Sequence, residues 1–222
     1  MKSAVSMRRL AGLALCLAVT ACATPLKAPD YTAFRAAKPR TILVLPPVNH
    51  TPDTKATNGL LSQMTMPLAE GGYYVVPVTL ETETFRQNGL SAPDEIIQAP
   101  AEKLRTIFGA DAALYTTITA YGSVYHVIDS NTVVTASSKL VDLRSGSVLW
   151  TGTGSATGAD VGEMTGGGSI MGMLIVAAVK QVSNNLMDHS FPVAAVAADR
   201  LLKVGPPDGL LYGPRSVKYG TD

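Results

Sequence analysis

Hydrophobic and polar positions change their spacing several times along the first half of the chain. Residues 41–45 form a short continuous apolar run that ends at Pro46 and Pro47, which is typical of a buried strand. Helical spacing then appears, with Pro67 inside the pattern and Gly71 and Gly72 as its stop; its apolar positions are Leu60, Leu61, Met64, Leu68 and Ala69. These residues predict a strand followed by a helix that Pro67 kinks.

The next segments predict a further strand and two short helices. Residues 73–78 read as a strand, and Pro77 puts its end at an edge of a sheet. Residues 79–86 and 101–108 have the composition and spacing of short helices, and each is followed by a glycine that ends it.

The second half of the chain is richer in strands. Residues 112–127 predict a long strand broken at Gly122. Residues 132–143 and 147–157 alternate around a short turn and predict a hairpin. A Gly-rich loop at 158–169 is followed by predicted helices at 170–187 and 192–202.

This order of elements predicts an α/β fold: a mixed sheet, with parallel first strands and an antiparallel meander, flanked by helices. One domain of this kind fits residues 40–204. Proline punctuates residues 22–39, which we expect to be a flexible tether, and residues 205–222 form a Pro/Gly-rich tail that we expect to be poorly ordered.

The N-terminus predicts an exported protein. Basic residues precede an apolar run of residues 10–19, and the run ends in Val19-Thr20-Ala21-Cys22. About 20 apolar residues are needed to span a bilayer, so this run is a signal peptide, residues 1–21, and not a membrane span.

The residues Val19-Thr20-Ala21-Cys22 resemble the lipobox of bacterial lipoproteins. The resemblance implies cleavage after Ala21, a diacylglycerol on the Cys22 thiol and an N-acyl chain on its new amine. Ala23, in place of an aspartate, suggests the outer membrane and leaves open whether the body faces the periplasm or the exterior. An ordinary secretory signal with an incidental cysteine is the alternative.

Charge and cysteine content exclude several classes of function. Removing Lys2, Arg8 and Arg9 with the signal lowers the basic count from 18 to 15 against 17 acidic residues, so no nucleic-acid partner is expected. Cys16 also leaves with the signal, and Cys22 is the acylation site. The mature chain therefore has no thiol for a disulfide, a nucleophile or a metal.

No motif for catalysis, phosphate binding or metal binding is present. The glycines of 152–158 miss the dinucleotide spacing, and no nucleophile elbow occurs. The histidines, His50, His126 and His189, have no ligand spacing. Glu81 and Glu83 lie two apart and would not share a helix face. We predict no catalytic residue, no metal and no cofactor other than the lipid on Cys22.

Two groups of residues are candidates for contacts with partners. Tyrosines in or beside strands either pack or form a binding face; they are Tyr73, Tyr74, Tyr115, Tyr121 and Tyr125. The apolar stretch 168–179 is a buried helix, a partner or dimer face, or a shallow membrane contact. Its candidate face consists of Ile170, Met171, Met173, Leu174 and Val179.

Several segments together are similar to a family of Gram-negative lipoproteins of unknown function that includes a meningococcal surface antigen studied as a vaccine candidate. They are residues 31–47, 67–77, 108–115 and 141–150. The resemblance implies a sandwich like the amino-terminal domain of TolB, a homodimer, and neighbours that resemble curli-secretion lipoproteins. It assigns no catalytic residue.

Together these features predict an outer-membrane lipoprotein that acts as a non-enzymatic envelope adaptor, with outer-membrane lipid, a second copy and other envelope proteins as partners. A hydrolase or ligand-binding protein that acts on the cell wall through a dispersed site is the alternative. A cleft with converging His, Asp or Glu side chains would favour the alternative.

Overall fold

The structure is a computed structural model, and it describes residues 29–125, 130–161 and 190–222. Its helices are α1 (Thr32–Ala37), α2 (Ala56–Glu70), α3 (Val78–Gln87), α4 (Pro93–Ile96), α5 (Ala101–Phe108) and α6 (Ser190–Leu201). Its strands are β1 (Thr41–Val44), β2 (Val48–Asn49), β3 (Tyr74–Val75), β4 (Ala112–Tyr125), β5 (Ser130–Asp142) and β6 (Val148–Thr157).

The strands form one mixed sheet in the order β3-β1-β4-β5-β6, with β2 also paired to β4. β1 pairs in parallel with β3 and with β4, while β4, β5 and β6 form an antiparallel meander. The predicted fold class is confirmed. The strand at 41–45, its parallel partner reached through α2, and the 132–157 hairpin are found where the sequence predicted them.

Alternation along β1 divides the core into two layers. Ile42 and Val44 point to one side, where α1, α2 and α6 pack, and Leu43 and Leu45 point to the other, where α3, α4 and α5 pack. All four side chains are buried. A strand covered on both faces needs a continuous apolar run, which explains the pattern at 41–45.

The predicted break of the long strand at Gly122 is wrong. β4 continues to Tyr125, and its irregularity lies between Ile118 and Ala120, where the register with β5 shifts. Gly122 has a φ of +109°, a conformation that other residues rarely adopt. The glycine therefore permits an unusual backbone angle inside a strand and does not end it.

The expected flexible tether of residues 22–39 ends earlier than predicted. Residues Thr32–Ala37 form α1, and Phe34 is buried in the core with 2% of its surface exposed. Lys38 then takes a left-handed conformation with a φ of +45° and ends the helix. The folded body therefore includes residues upstream of the predicted boundary at residue 40.

The expectation of a poorly ordered C-terminal tail is also wrong. Leu210 is fully buried in the same core layer as Phe34. The backbone N–H of Gly213 donates to the carbonyl of Gly71 at 2.8 Å, and that of Arg215 donates to Gly72 at 3.0 Å. Residues 203–222, called the C-terminal segment below, are part of the body.

Candidate functional site

The residues with the most specific predicted roles lie outside the described part of the chain. They are Ala21 and Cys22 at the cleavage and acylation site, and Ile170, Met171, Met173, Leu174 and Val179 on the candidate partner face. Their roles stay predictions. Among the described residues, no helix combines the length and the apolar character that crossing a membrane requires.

The histidines do not form a site in the described ranges. His50 is exposed just after β2, and its backbone N–H donates to Ile118 at 3.0 Å; His126 and His189 lie outside the described residues. Over 29–125, 130–161 and 190–222, no group of three or more histidine, cysteine, aspartate or glutamate residues is placed to hold a metal ion.

Two carboxylates are tied to structural partners. Asp111 accepts hydrogen bonds from the backbone of Arg40 and Thr41 and from the guanidinium of Arg144 at 2.7 Å, so it joins β1 to the β5–β6 turn. Asp160 accepts from Arg200 at 2.6 Å and from Thr157, and these bonds lower its pKa to about 2.

Glu81 and Glu83 lie on different faces of α3, as their spacing predicted. Glu83 is half-exposed and paired with Arg86 at 2.8 Å. Glu81 is fully buried, and neither carboxyl oxygen has a hydrogen-bond partner. Burial alone raises the pKa of Glu81 to about 9, so the side chain is protonated at neutral pH.

The candidate tyrosines are divided between core and surface. Tyr73 and Tyr121 are buried, whereas Tyr74 is 43% exposed. Tyr115 lies under the ammonium group of Lys139, which is 5.3 Å from the ring centroid. The side chain of Tyr125 lies outside the described part of the structure. The tyrosines therefore do not form one binding face.

A groove of about 330 Å³ lies between α1 and the C-terminal segment, and we call it the terminal groove. Its walls include Phe34, Tyr73, Tyr212 and Tyr219. Arg35, Lys38 and Asp222 also line it. It is thus an aromatic groove with two cations and one carboxylate at its sides.

Hydrogen bonds from buried or half-buried aromatic side chains hold the C-terminal segment in place. The hydroxyl of Tyr31 donates to the carbonyl of Gly209 at 2.6 Å, and that of Tyr73 donates to Leu211 at 2.5 Å. The indole N–H of Trp150 donates to the backbone carbonyl of Asp208 at 3.1 Å. We call these three bonds the terminal clasp.

The electrostatics of the clasp agree with its burial. Desolvation, together with the charge of Asp222, raises the pKa of Tyr73 above its ordinary value of 10.0. Desolvation also raises the pKa of Tyr31, and the negative charges of Asp208 and Asp222 raise it further. Both hydroxyls therefore stay protonated and keep donating across the physiological range.

Cations are held over tyrosine rings around the terminal groove. The guanidinium of Arg35 lies 5.8 Å from the ring centroid of Tyr31. Arg215 lies 5.2 Å from the ring of Tyr74, and Lys218 lies 5.5 Å from that of Tyr212. These contacts fix the direction of each cation without neutralising it.

A second, open cleft of about 1050 Å³ runs beside β6. Hydroxyl side chains dominate the strands that line it, and Lys139, Arg200 and Lys203 also reach it. Its described lining contains no histidine, cysteine or glutamate. Asp30 and Asp208 are the carboxylates in that lining, so polar binding is the chemistry that the cleft supports.

Sequence reasoning missed both the terminal groove and the clasp. The apolar pair Leu210-Leu211 between glycine- and proline-rich stretches was a signal that part of this segment is buried. The contact of Gly72 with Gly213 could not be predicted, because the two residues are far apart in the sequence. Their backbones pack so closely that a Cβ on Gly213 would lie 2.5 Å from the carbonyl carbon of Gly72.

Comparison with known proteins places this chain among envelope lipoproteins. Residues 29–215 match the sequence profile of a family described as “Putative lipoprotein GNA1162-like”. The chain is 44% identical over 209 residues to “Putative lipoprotein NMB1124/NMB1162” of Neisseria meningitidis serogroup B, covering 93% of this chain and 95% of that protein.

A solved structure agrees with the family match. The crystal structure of lipoprotein GNA1162 from Neisseria meningitidis is 42% identical and has a TM-score of 0.52, covering 66% of this chain and all of that chain. A PelC dodecamer from Paraburkholderia phytofirmans is a more distant neighbour: it is 19% identical with a TM-score of 0.39, covering 60% of this chain and 77% of that one. The family resemblance seen in the sequence is confirmed.

Proposed function

Since the chain belongs to the GNA1162-like lipoprotein family, we propose that it is an outer-membrane lipoprotein whose α/β body is a non-enzymatic adaptor for other envelope proteins. The observation that carries the proposal is the terminal clasp. It fixes α1, the first described helix after the proposed anchor, to the core through Tyr31 and Gly209. A body attached in this way begins at Tyr31, so only the short chain before that residue separates it from its lipid.

The proposed anchor is the lipid on Cys22. Each buried methylene contributes about 0.8 kcal/mol, and one chain alone binds a bilayer only marginally. A diacylglycerol on the thiol and an acyl chain on the amine together bind the bilayer permanently on the timescale of a cell. Ala23 favours the outer membrane over the inner one.

The covalent chain limits how far the body can move from the bilayer. Tyr31 is the ninth residue after Cys22, and a fully extended chain of that length spans at most about 32 Å. The body therefore meets partners in a thin layer beside the membrane, where the local concentration of other anchored proteins is high. This is the physical advantage of an anchored adaptor.

The alternative is a hydrolase or ligand-binding protein that acts on the cell wall, and the open cleft beside β6 is the observation that favours it. Incubating the purified protein with isolated peptidoglycan separates the two proposals. Release of soluble fragments supports the hydrolase and overturns the adaptor, and binding without release supports a ligand-binding role. The adaptor predicts neither.

The anchor is tested by comparing two cysteine variants in the native host. Cys22→Ala removes the acylation site, and Cys16→Ala is the matched control, because Cys16 leaves with the signal. We expect the Cys16→Ala protein to be mature-sized, in the outer-membrane fraction and triacylated by mass spectrometry. A Cys22→Ala protein that is also mature-sized and in that fraction would disprove the lipid anchor.

The adaptor role is tested by crosslinking in intact envelopes followed by identification of the partners. We expect a defined set of envelope proteins, or a second copy of this chain, that is recovered with wild type and lost when Cys22→Ala leaves an uncleaved or mislocalised precursor. Recovery that does not depend on the anchor would contradict the proposal. A link to curli-type secretion proteins stays a prediction, as does dimerisation.

A further inference from the structure

We propose that the surface formed by α1, Tyr74 and the end of the C-terminal segment docks onto the anionic headgroups of the membrane that carries the anchor. The inference rests on the proposed anchor at Cys22 and adds an orientation to it. We call this surface the basic-aromatic face, and it consists of Arg35, Lys38, Tyr74, Arg215, Lys218 and Tyr219, with Val217 at its tip.

Its cations are available to bind phosphate. Arg35, Lys38, Arg215 and Lys218 are exposed. The ion pairs found among the described residues are Arg86–Glu83, Arg144–Asp111 and Arg200–Asp160, and none of them includes a cation of this face. Three of the four instead lie over tyrosine rings. A cation held over a ring keeps its N–H donors directed outwards for an anion.

Asp222 is the acidic side chain that lines the terminal groove. It accepts the backbone N–H of Tyr212 at 2.6 Å, and its negative charge offsets one of the four cations. Four cations against one side-chain carboxylate leave a net positive charge on this face, which attracts negatively charged headgroups within about a Debye length.

Apolar side chains accompany the cations. Val217 is 100% exposed between Arg215 and Lys218, and Tyr74 and Tyr219 are 43% and 47% exposed. Tyrosine is favoured at the level of the headgroups because its ring is amphipathic. An apolar tip flanked by basic residues is the composition of surfaces that lie in the membrane interface.

The tether favours a membrane over a protein as the occupant of this face. α1 carries Arg35, and it starts only ten residues after Cys22. The tether spans at most about 35 Å when extended, so the face that begins with α1 is held within reach of the headgroups. At that effective concentration, weak contacts suffice to orient the body.

Vesicle binding tests the proposal without using the lipid anchor. The full mature chain with Cys22→Ser is mixed with vesicles of phosphatidylglycerol and phosphatidylethanolamine, or with vesicles of phosphatidylcholine alone. We expect sedimentation with the anionic vesicles, weakening from about 50 to about 300 mM salt, and little binding to phosphatidylcholine. Equal binding to both compositions, or none to the anionic one, overturns the proposal.

Two sets of charge variants locate the binding face. The quadruple variant Arg35→Gln, Lys38→Gln, Arg215→Gln and Lys218→Gln should lose about fivefold in affinity for each basic residue removed, or several hundredfold in total where the contributions multiply. Lys103→Gln with Arg105→Gln, on α5 at the other face of the sheet, is the control and should change binding less than about twofold. Equal losses in the two sets disprove the assigned face.

A label at the tip measures orientation directly. In the Cys22→Ser background, Val217→Cys supplies the single thiol for an environment-sensitive fluorophore, and Lys103→Cys is the matched control. We expect a blue shift at position 217 on anionic vesicles and none at position 103; equal shifts overturn the proposal. Because these vesicle experiments do not involve a lipid on Cys22, a negative result would not contradict the proposed anchor. Unmodified Cys22 in native envelopes would disprove the anchor whatever the vesicles show.

Discussion

The phenolic hydroxyl of Tyr31 donates a 2.6 Å hydrogen bond to the carbonyl oxygen of Gly209, a residue 178 positions further along the chain. The bond joins the residue that precedes α1 to the C-terminal segment. With the bonds of Tyr73 and Trp150 to the same segment, it brings the two ends of the body together at the terminal groove.

Removing the clasp hydroxyls should destabilise the body. Tyr31→Phe and Tyr73→Phe each delete one donor and leave a carbonyl of the C-terminal segment without its partner. We expect each variant to lower the free energy of unfolding by about 1 kcal/mol, or more where the carbonyl stays away from water. Urea unfolding followed by circular dichroism measures the loss. Tyr219→Phe, at an exposed tyrosine, is the control and should stay within about 0.5 kcal/mol of wild type.

The contact between β6 and α6 should not tolerate a methyl group at Gly154. A Cβ there would lie 2.5 Å from the carbonyl oxygen of Ala197 and 2.6 Å from the backbone nitrogen of Leu201. Because backbone atoms cannot move aside cheaply, we expect Gly154→Ala to cost about 1–3 kcal/mol. Gly158→Ala, whose nearest contact is 3.5 Å away at Asn131, should change the thermal midpoint little.

Glu81 should make the body less stable as pH rises. Its pKa is about 9 in the folded chain against an ordinary value of 4.5, so between these values the folded state keeps a proton that the unfolded state has lost. The free energy of unfolding then falls as pH increases across that window. Urea titrations at about pH 5, 7 and 9 should show this slope.

Replacing Glu81 with an apolar residue of similar size should remove the slope. We expect Glu81→Met to raise the free energy of unfolding near pH 8 by about 1–3 kcal/mol, because a buried group without partners is lost. Glu83→Gln on the same helix is the control, since its carboxylate is exposed and paired with Arg86. An unchanged slope in Glu81→Met would show that another group causes it.

The C-terminal segment should unfold together with the sheet. Leu210 is fully buried, so Leu210→Ala should cost about 2–5 kcal/mol. Leu80→Ala, at a leucine that is 58% exposed on α3, should cost little. Trp150 is the single tryptophan of the chain and donates to Asp208, so its fluorescence reports on this segment. We expect the fluorescence and circular dichroism transitions to coincide; an earlier fluorescence transition would mean that the segment detaches first.

The sequence predicted those helices and strands whose own residues show a clear apolar spacing or a turn motif. The apolar run at 41–45 and the helical spacing from Leu60 to Leu68 each extend over enough residues to define a period, and the hairpin has a recognisable turn. The mixed topology followed from the order of these elements. The strand through Gly122 was predicted wrongly because a glycine that permits an unusual φ and a glycine that ends a strand look alike in sequence.

The terminal groove could not be predicted because its two sides lie far apart in the sequence, and neither side has the regular apolar spacing of a long helix or strand. α1 is only six residues long, and it is positioned by the burial of Phe34. Leu210 lies among prolines and glycines that suggest disorder, and only contacts with residues far upstream bury it. Tyr73 and Tyr74 illustrate this limit. Strand alternation predicts that their side chains face opposite ways, but it cannot predict that Arg215 lies over the ring of Tyr74.

The terminal clasp also sets when the protein can finish folding. One of its donors, Tyr31, leaves the ribosome among the first residues of the body, while its acceptor, Gly209, leaves among the last described ones. Long-range contacts of this kind form late, since most of the chain must be available before they close. The chain thus lacks its final contacts until nearly all of it has been synthesised, so the body cannot close from its N-terminal part alone.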